Sequence, residues 1–149
     1  MAGKLKVKIQ EDIILDNQDY GSKRTLEISS IDEISKRIVT CAANETTTVA
    51  VFNSNAYGAA GAVDIEDSKY IRVTNLDSSN AVELAVVGAA TLYQVTLAAG
   101  QSHVLGSADG LMLAEADTSP SFGTMADISS LQVNPGSNAV SVEVFIASA

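Results

Sequence analysis

The fold class is decided by a short stretch near the start of the chain, Lys4-Leu5-Lys6-Val7-Lys8-Ile9. Charged and apolar side chains alternate along it without a break. Successive side chains of a β-strand point to opposite faces, so the three apolar residues share one face and the three lysines share the other. The stretch therefore predicts a strand that buries one face and exposes the other to solvent.

Outward from this stretch, the strand pattern continues to the end of the chain with almost no helical periodicity. Further strands are predicted at residues 12–15, 24–29, 37–42, 47–52, 69–75, 82–87, 92–97, 102–105, 111–114, 128–133 and 140–146. Turn-forming residues separate them at intervals of about 8–12 residues, which is typical of two packed antiparallel sheets. We therefore predict an all-β, jelly-roll-like β-sandwich, with short helical turns at most at 30–36 and 121–127.

The composition predicts one compact domain. The chain has 149 residues, of which 46% are apolar and 18% are charged, enough for a single packed core. Its apolar residues are mostly Ala, Val, Ile and Leu, Trp is absent, and aromatic residues make up 5%. Small side chains suit thin sheet packing better than a large cofactor pocket. We expect one domain over residues 1–149 and no bound cofactor.

The charges are distributed unevenly along a chain whose net charge is −9. All nine Lys and Arg residues lie between Lys4 and Arg72, and residues 73–149 carry seven acidic residues and no basic one. Nucleic-acid binding needs clustered cations that displace counterions from phosphate, so no nucleic-acid partner is expected. The chain start lacks a signal-peptide pattern and no apolar run is long enough to span a bilayer, so no membrane partner is expected.

Residues that could carry chemistry are few and isolated. His103 is the only histidine and no Gly-x-Ser-x-Gly motif accompanies it, so we expect a strand histidine with a backbone partner and not a catalytic residue. Cys41 is the only cysteine and is expected to be a small buried apolar residue. Two acidic clusters, 64–67 and 115–117, lack calcium-loop spacing and are expected to be solvated loops. We predict no catalytic site and no metal site.

Several phrases of the sequence carry a resemblance to a known class of proteins. They are Glu11-Asp12-Ile13-Ile14-Leu15-Asp16, Ser30-Ile31-Asp32-Glu33-Ile34-Ser35-Lys36-Arg37-Ile38-Val39-Thr40, and Tyr70-Ile71-Arg72-Val73-Thr74-Asn75-Leu76-Asp77 followed by Gly100-Gln101-Ser102. In these phrases the chain resembles small virion structural proteins of tailed bacteriophages, above all those of marine and cyanobacterial hosts. The resemblance implies a non-enzymatic, β-rich component of the virion that is made in the host cytoplasm.

The resemblance implies one of two positions in the phage particle. The function we predict is that of a capsid decoration, or cement, protein, which binds and stabilises the assembled shell. The alternative is a tail- or fibre-associated structural protein, including a host-glycan-binding adhesin. The aromatic residues that glycan binding would use are scattered, namely Tyr20, Tyr57, Tyr70 and Tyr93. The expected partners are further copies of the chain, in a homo-oligomer expected to be a trimer, and a major capsid or tail protein.

The partner surface is expected in the second half of the chain. Residues 81–113 carry only Glu83 and Asp109 as charged groups, and the cores of interfaces are depleted of charge. The residues predicted to contact another subunit are Val82, Leu84, Ala85, Val86, Ala90 and Leu92. The alternative is that these side chains fill the domain's own core, because strands buried on both faces also read as continuous apolar runs.

The lysine face of the first strand, formed by Lys4, Lys6 and Lys8, has two alternative interpretations. It is either a salt-sensitive rim that docks on an acidic neighbour or protection of an edge strand, because lysine on an edge discourages unwanted strand pairing. The sequence favours neither.

Overall fold

A computed structural model describes residues 1–55, 58, 60–115 and 118–149. The described part is built from β-strands and contains no helix, which confirms the all-β prediction. The strands are β1 (Gly3–Glu11), β2 (Ile14–Leu15), β3 (Gln18–Asp19), β4 (Ser22–Ile31), β5 (Glu33–Cys41), β6 (Thr47–Asn53), β7 (Val63–Asp64), β8 (Ser68–Asn75), β9 (Val82–Gly88), β10 (Leu92–Leu97), β11 (Ser102–Leu105), β12 (Ile128–Asn134) and β13 (Val140–Ser148). Tyr57 and part of the acidic cluster 115–117 lie outside the described residues.

Eight strands form a sandwich of two antiparallel sheets. One sheet has the order β11-β8-β13-β5, and the other has the order β10-β9-β12-β6 with the short β7 added in parallel beside β6. If the eight sandwich strands are counted 1 to 8 in chain order, from β5 to β13 without β7, their order is 6-3-8-1 in the first sheet and 5-4-7-2 in the second. This is the strand order of a jelly roll, so the predicted fold class is confirmed in its topology as well.

The core lies between the two sheets and follows from the alternation of side chains along each strand. The inward side chains of β13 are Val140, Val142, Val144 and Ile146, all buried. Those of β9, in the other sheet, are Val82, Leu84 and Val86, and they belong to the same core. Burial of this aliphatic surface is the main stabilising contribution to the sandwich.

A buried amide fixes the loop between β8 and β9. The Asn75 side chain donates hydrogen bonds to the carbonyl oxygens of Asn80 (2.8 Å) and Leu97 (3.0 Å). Its own carbonyl oxygen accepts a hydrogen bond from the amide of Asp77 (2.9 Å). Because an unpaired buried polar group is costly, these bonds tie the loop to the end of β10. Within the described residues, no buried side-chain nitrogen or oxygen atom lacks a partner.

No helical turn forms at 30–36, one of the two places where the sequence allowed a short one. The segment is extended, with β4 ending at Ile31 and β5 beginning at Glu33. Asp32 joins the two strands, and its amide donates a hydrogen bond to the Ser148 carbonyl (3.1 Å). The full-length pairing of β5 with β13 holds the second part of this segment extended.

The loop between β11 and β12 also differs from the sequence expectation. The described part of this loop contains no helix at 121–127 and no strand at 111–114. Its regular pairing is a single antiparallel bridge between Met112 and Ala126.

The first part of the chain forms an arm, defined as residues 3–31. In it β1 and β4 pair over their full lengths as a two-stranded ribbon, and neither pairs with a strand of the sandwich. The small β2–β3 hairpin continues the ribbon into a tip, defined as residues 11–21. Asp16 and Asn17 close the turn with φ of 52° and 61°, values that Asp and Asn tolerate better than most residues.

Leu84→Ala should lower the free energy of unfolding by about 2–5 kcal/mol, because the side chain is fully buried and its removal leaves a cavity between the sheets. Leu92→Ala is the matched control on the neighbouring strand, where the exposed side chain should contribute no more than about 0.5 kcal/mol. Urea unfolding followed by circular dichroism measures both values. Similar losses for the two variants would contradict the inward and outward faces assigned to these strands.

Candidate interaction surface

The arm lies across the outer face of the four-stranded sheet. Ile31, at the base of the arm, is buried in a cluster with Tyr70 of β8 and Ala147 of β13. Leu5 and Val7 pack against this cluster, because the alternation along β1 turns them towards the sheet. The predicted burial of this face of the first strand is therefore confirmed at the base of the arm.

Aromatic and charged side chains form the surface on which the arm rests. Tyr70 and Phe145 meet edge to face, with ring centroids 6.0 Å apart, and the Arg72 guanidinium lies 5.7 Å from the Phe145 ring centroid. Arg72 also pairs with Glu143 at 2.5 Å, and this hydrogen bond lowers the pKa of the Glu143 carboxyl. Lys36 reaches the other oxygen of the same carboxylate at 3.9 Å. The outer face is thus an ordered platform and not a loose polar surface.

The apolar face of the arm extends beyond this platform. Ile9, which follows Val7 towards the tip, and Leu26, which pairs with Val7 on β4, are each 55% exposed. A groove of about 300 Å³ separates them from the sheet and is also lined by Tyr70 and Val104. Because Val104 belongs to β11, the outermost strand of the sheet, the arm leaves the sandwich at the β11 edge.

The tip carries a cluster of exposed apolar side chains. Its members are Ile13, Ile14, Leu15 and Tyr20. Ile14 is 75% exposed, yet the backbone is held by a hydrogen bond from the Tyr20 amide to the Ile13 carbonyl (3.0 Å). Several exposed apolar side chains gathered on one projection are the kind of surface that proteins use for contacts with partners.

The lysine face of the arm is exposed. Lys4 and Lys6 both pair with Glu27 of β4, at 3.0 Å and 3.1 Å, and these hydrogen bonds lower the pKa of the Glu27 carboxyl. Exposed ion pairs of this kind add little stability. Lys8 is exposed as well, and the outer edge of β1 is unpaired in the described part of the chain. For Lys4, Lys6 and Lys8, both interpretations therefore remain predictions: a rim that docks on an acidic neighbour, and protection of an edge strand.

The interface prediction for the second half of the chain is corrected in part. Three of its residues point into the sandwich, are at most 1% exposed, and cannot contact a partner: Val82, Leu84 and Val86. Their charge-free sequence reflects the domain's own core. The other three lie outside it, Ala85 half-buried on the outer face of β9, Ala90 exposed in the turn that follows, and Leu92 exposed on β10. For these three, contact with another subunit stays a prediction.

His103 and Tyr93 join the two sheets at one edge of the sandwich. The Tyr93 hydroxyl lies 3.0 Å from His103 Nε2, and the two rings meet edge to face with centroids 5.9 Å apart. The partner of His103 found here is thus a tyrosine hydroxyl, where the sequence suggested a backbone group. Burial lowers the pKa of His103 and raises that of Tyr93, so both side chains are neutral at pH 7. The pair therefore links β10 of one sheet to β11 of the other.

The remaining chemistry-bearing residues are dispersed. Cys41 is fully buried, as predicted, and burial raises the pKa of its thiol. In the cluster 64–67, Asp64 accepts a hydrogen bond from the Glu66 amide (3.1 Å), and its side chain raises the pKa of Glu66. Across the described ranges, no three or more His, Cys, Asp or Glu side chains converge as metal ligands would. The described part of the chain contains no helix of the length and apolarity that crossing a bilayer requires.

Comparisons with known proteins add little to this picture. No family model matches the chain. No curated protein matches it. Among solved structures, it is similar to a chain from Bacillus endospore appendages, described as a family of disulfide-linked pili, with 10% identity and a TM-score of 0.40 over 77% of this chain and 88% of that one. A TM-score of this size does not establish a shared fold, and the jelly-roll assignment rests on strand pairing alone.

The stability of the fold should decrease between pH 7.5 and pH 5.5 through His103. Its folded-state pKa lies below the unfolded value of about 6.5, so the stabilisation is complete above that value and is lost as the pH falls through the folded-state pKa. Thermal unfolding at several pH values measures the effect. His103→Gln should flatten the dependence of stability on pH in this range. Tyr93→Phe should keep it, because burial of the imidazole, and not the Tyr93 hydroxyl, lowers the pKa of His103. An unchanged slope in His103→Gln would refute this origin.

Proposed function

We propose that this chain is a non-enzymatic structural protein of a phage particle, specifically a capsid decoration protein that binds and stabilises the assembled shell. The observation that carries the proposal is the arm. A ribbon of 29 residues, from 3 to 31, leaves the sandwich at one edge and ends in the exposed apolar cluster of the tip. Such a projection serves contacts between subunits far better than it serves a chemical reaction.

The fold is compatible with this role and leaves others open. Jelly rolls occur in viral capsid proteins and also in lectins and cupins, so the topology alone does not determine a function. The resemblance of the sequence to small virion proteins of tailed phages is what favours a particle component among these roles. The environment of His103 supports the non-enzymatic part of the proposal. Its Nε2 atom is already hydrogen-bonded to the Tyr93 hydroxyl between the two sheets.

The charge distribution supports the arm as the element of assembly. The arm carries five basic and five acidic residues, whereas residues 32–149 carry four basic and thirteen acidic ones. The whole net charge of −9 therefore resides in the sandwich and its loops. Like charges oppose direct association of two sandwiches, so contacts between copies favour the neutral arm.

The purified chain should co-sediment with assembled shells of the phage that encodes it, and should saturate at an abundance comparable to that of the capsid protein. A variant without the tip, in which residues 12–21 are replaced by Asn-Gly, should bind at least about ten-fold more weakly, a loss of about 1.4 kcal/mol. The design keeps the ribbon intact, because Glu11 and Ser22 are paired and Asn-Gly forms a two-residue hairpin turn.

Leu76→Asp is the matched control, because it places a carboxylate at an exposed position away from the arm. This variant should bind as the unaltered chain does. Failure of the unaltered chain to bind shells would overturn the decoration role. A stained gel of purified particles supplies the copy number, and only a few copies per particle would place the protein in the tail.

A further inference from the structure

The path of the arm places its two ends on opposite sides of the four-stranded sheet. At its base, Ile31 lies beside Ile34 of β5, where both line a hollow of about 300 Å³. The arm then passes over Tyr70 of β8 and reaches Val104 of β11. Since β5 and β11 are the two edge strands of this sheet, the tip projects from the edge opposite β5.

The tip combines apolar side chains with one sign of charge. Residues 11–21 contain four acidic residues, Glu11, Asp12, Asp16 and Asp19, and no basic one. Ile14 and Leu15, beside the turn, are both more than half exposed. A complementary surface must therefore offer apolar side chains with a cation among them.

The outer face of β5, defined as Ile34, Lys36, Ile38 and Thr40, has this character. Ile34 is 50% exposed and Ile38 is 64% exposed, and Lys36 lies between them on the same face because strand side chains alternate. Beyond the arm the chain has only four basic residues, and two of them, Lys36 and Arg37, belong to β5. The Lys36 side chain is more than half exposed, and its ammonium lies 3.9 Å from the Glu143 carboxylate, so it can also approach a carboxylate of a partner.

We propose that the tip of one copy packs on the outer face of β5 of a second copy, with Ile14 against Ile34 and Ile38 and the tip carboxylates around Lys36. The inference rests on the proposed role as a structural subunit and names its partner surface. The tip cannot reach the β5 of its own chain, because it leaves the sheet at the other edge. Tip and β5 face are different surfaces, so the contact is head to tail and closes a ring, such as a trimer, or extends a row.

Single variants on the two surfaces test the contact. Ile14→Asp and Ile38→Asp each place a carboxylate in the proposed interface, and both side chains are exposed, so the thermal unfolding midpoint should stay unchanged. Sedimentation velocity over a concentration series should show oligomers for the unaltered full-length chain and for the control Leu76→Asp. Each interface variant should lose every species larger than a monomer.

Mixing the two interface variants distinguishes a head-to-tail contact from a symmetric one. The Ile14→Asp chain keeps an intact β5 face and the Ile38→Asp chain keeps an intact tip, so a 1:1 mixture should form dimers and no longer species. A mixture that stays monomeric would overturn the proposal, because a contact between identical surfaces cannot be restored in this way. Oligomers in either single variant would overturn it as well.

Shell binding separates this proposal from the proposed function. If Ile38→Asp self-associates normally while Ile14→Asp and the Asn-Gly variant lose shell binding, the tip contacts the shell and not a second copy. The head-to-tail contact would then be wrong and the decoration role would stand. If the unaltered chain forms the expected oligomers but never binds shells, the contact stands and the decoration role fails.

Discussion

A two-stranded β-ribbon consists of a single layer and cannot bury its own apolar face. This constraint governs the arm, because every apolar side chain on its inner face needs a cover from elsewhere. The chain's own sheet supplies that cover for Leu5 and Val7, which pack around Tyr70. From Ile9 outward the ribbon has left the sheet, and the apolar side chains of the tip are exposed. The ribbon is thus stabilised at its base by its own domain and is open to a partner at its end.

The core of the sandwich has no comparable deficit. Its inner faces cover each other, and the buried amide of Asn75 has its hydrogen bonds. The Tyr93–His103 pair links the two sheets at one edge. On the outer face, Arg72 and Glu143 satisfy each other beneath the arm. The core of the domain is therefore complete, and exposed apolar side chains of the tip and of the β5 face are available to a partner. This division of the molecule, more than any single contact, supports a role in assembly.

The sequence predicted the elements of this fold well and their partners less well. Alternation at Lys4–Ile9 gave the correct faces of the first strand, because a period of two depends only on the local backbone. The same rule could not show that Val82, Leu84 and Val86 face the core, since the small apolar residues Ala85 and Val87 on the opposite side hide the alternation. The short helical turn that the sequence allowed at 30–36 does not form, because pairing with β13, a contact distant in sequence, holds the segment extended. The tip was missed, although Ile13-Ile14-Leu15 followed by Asp16-Asn17 is a signal for an exposed apolar hairpin turn.

The central claim is that the tip is left uncovered by its own chain and becomes covered in the assembly. Hydrogen exchange read by mass spectrometry on peptides that span residues 11–21 tests it most directly, with peptides from β13 as the internal reference. In dilute monomer the tip amides should exchange far faster than those of β13, and in purified particles they should become slow while β13 stays unchanged. Equal exchange of the tip in monomer and particle would contradict the account.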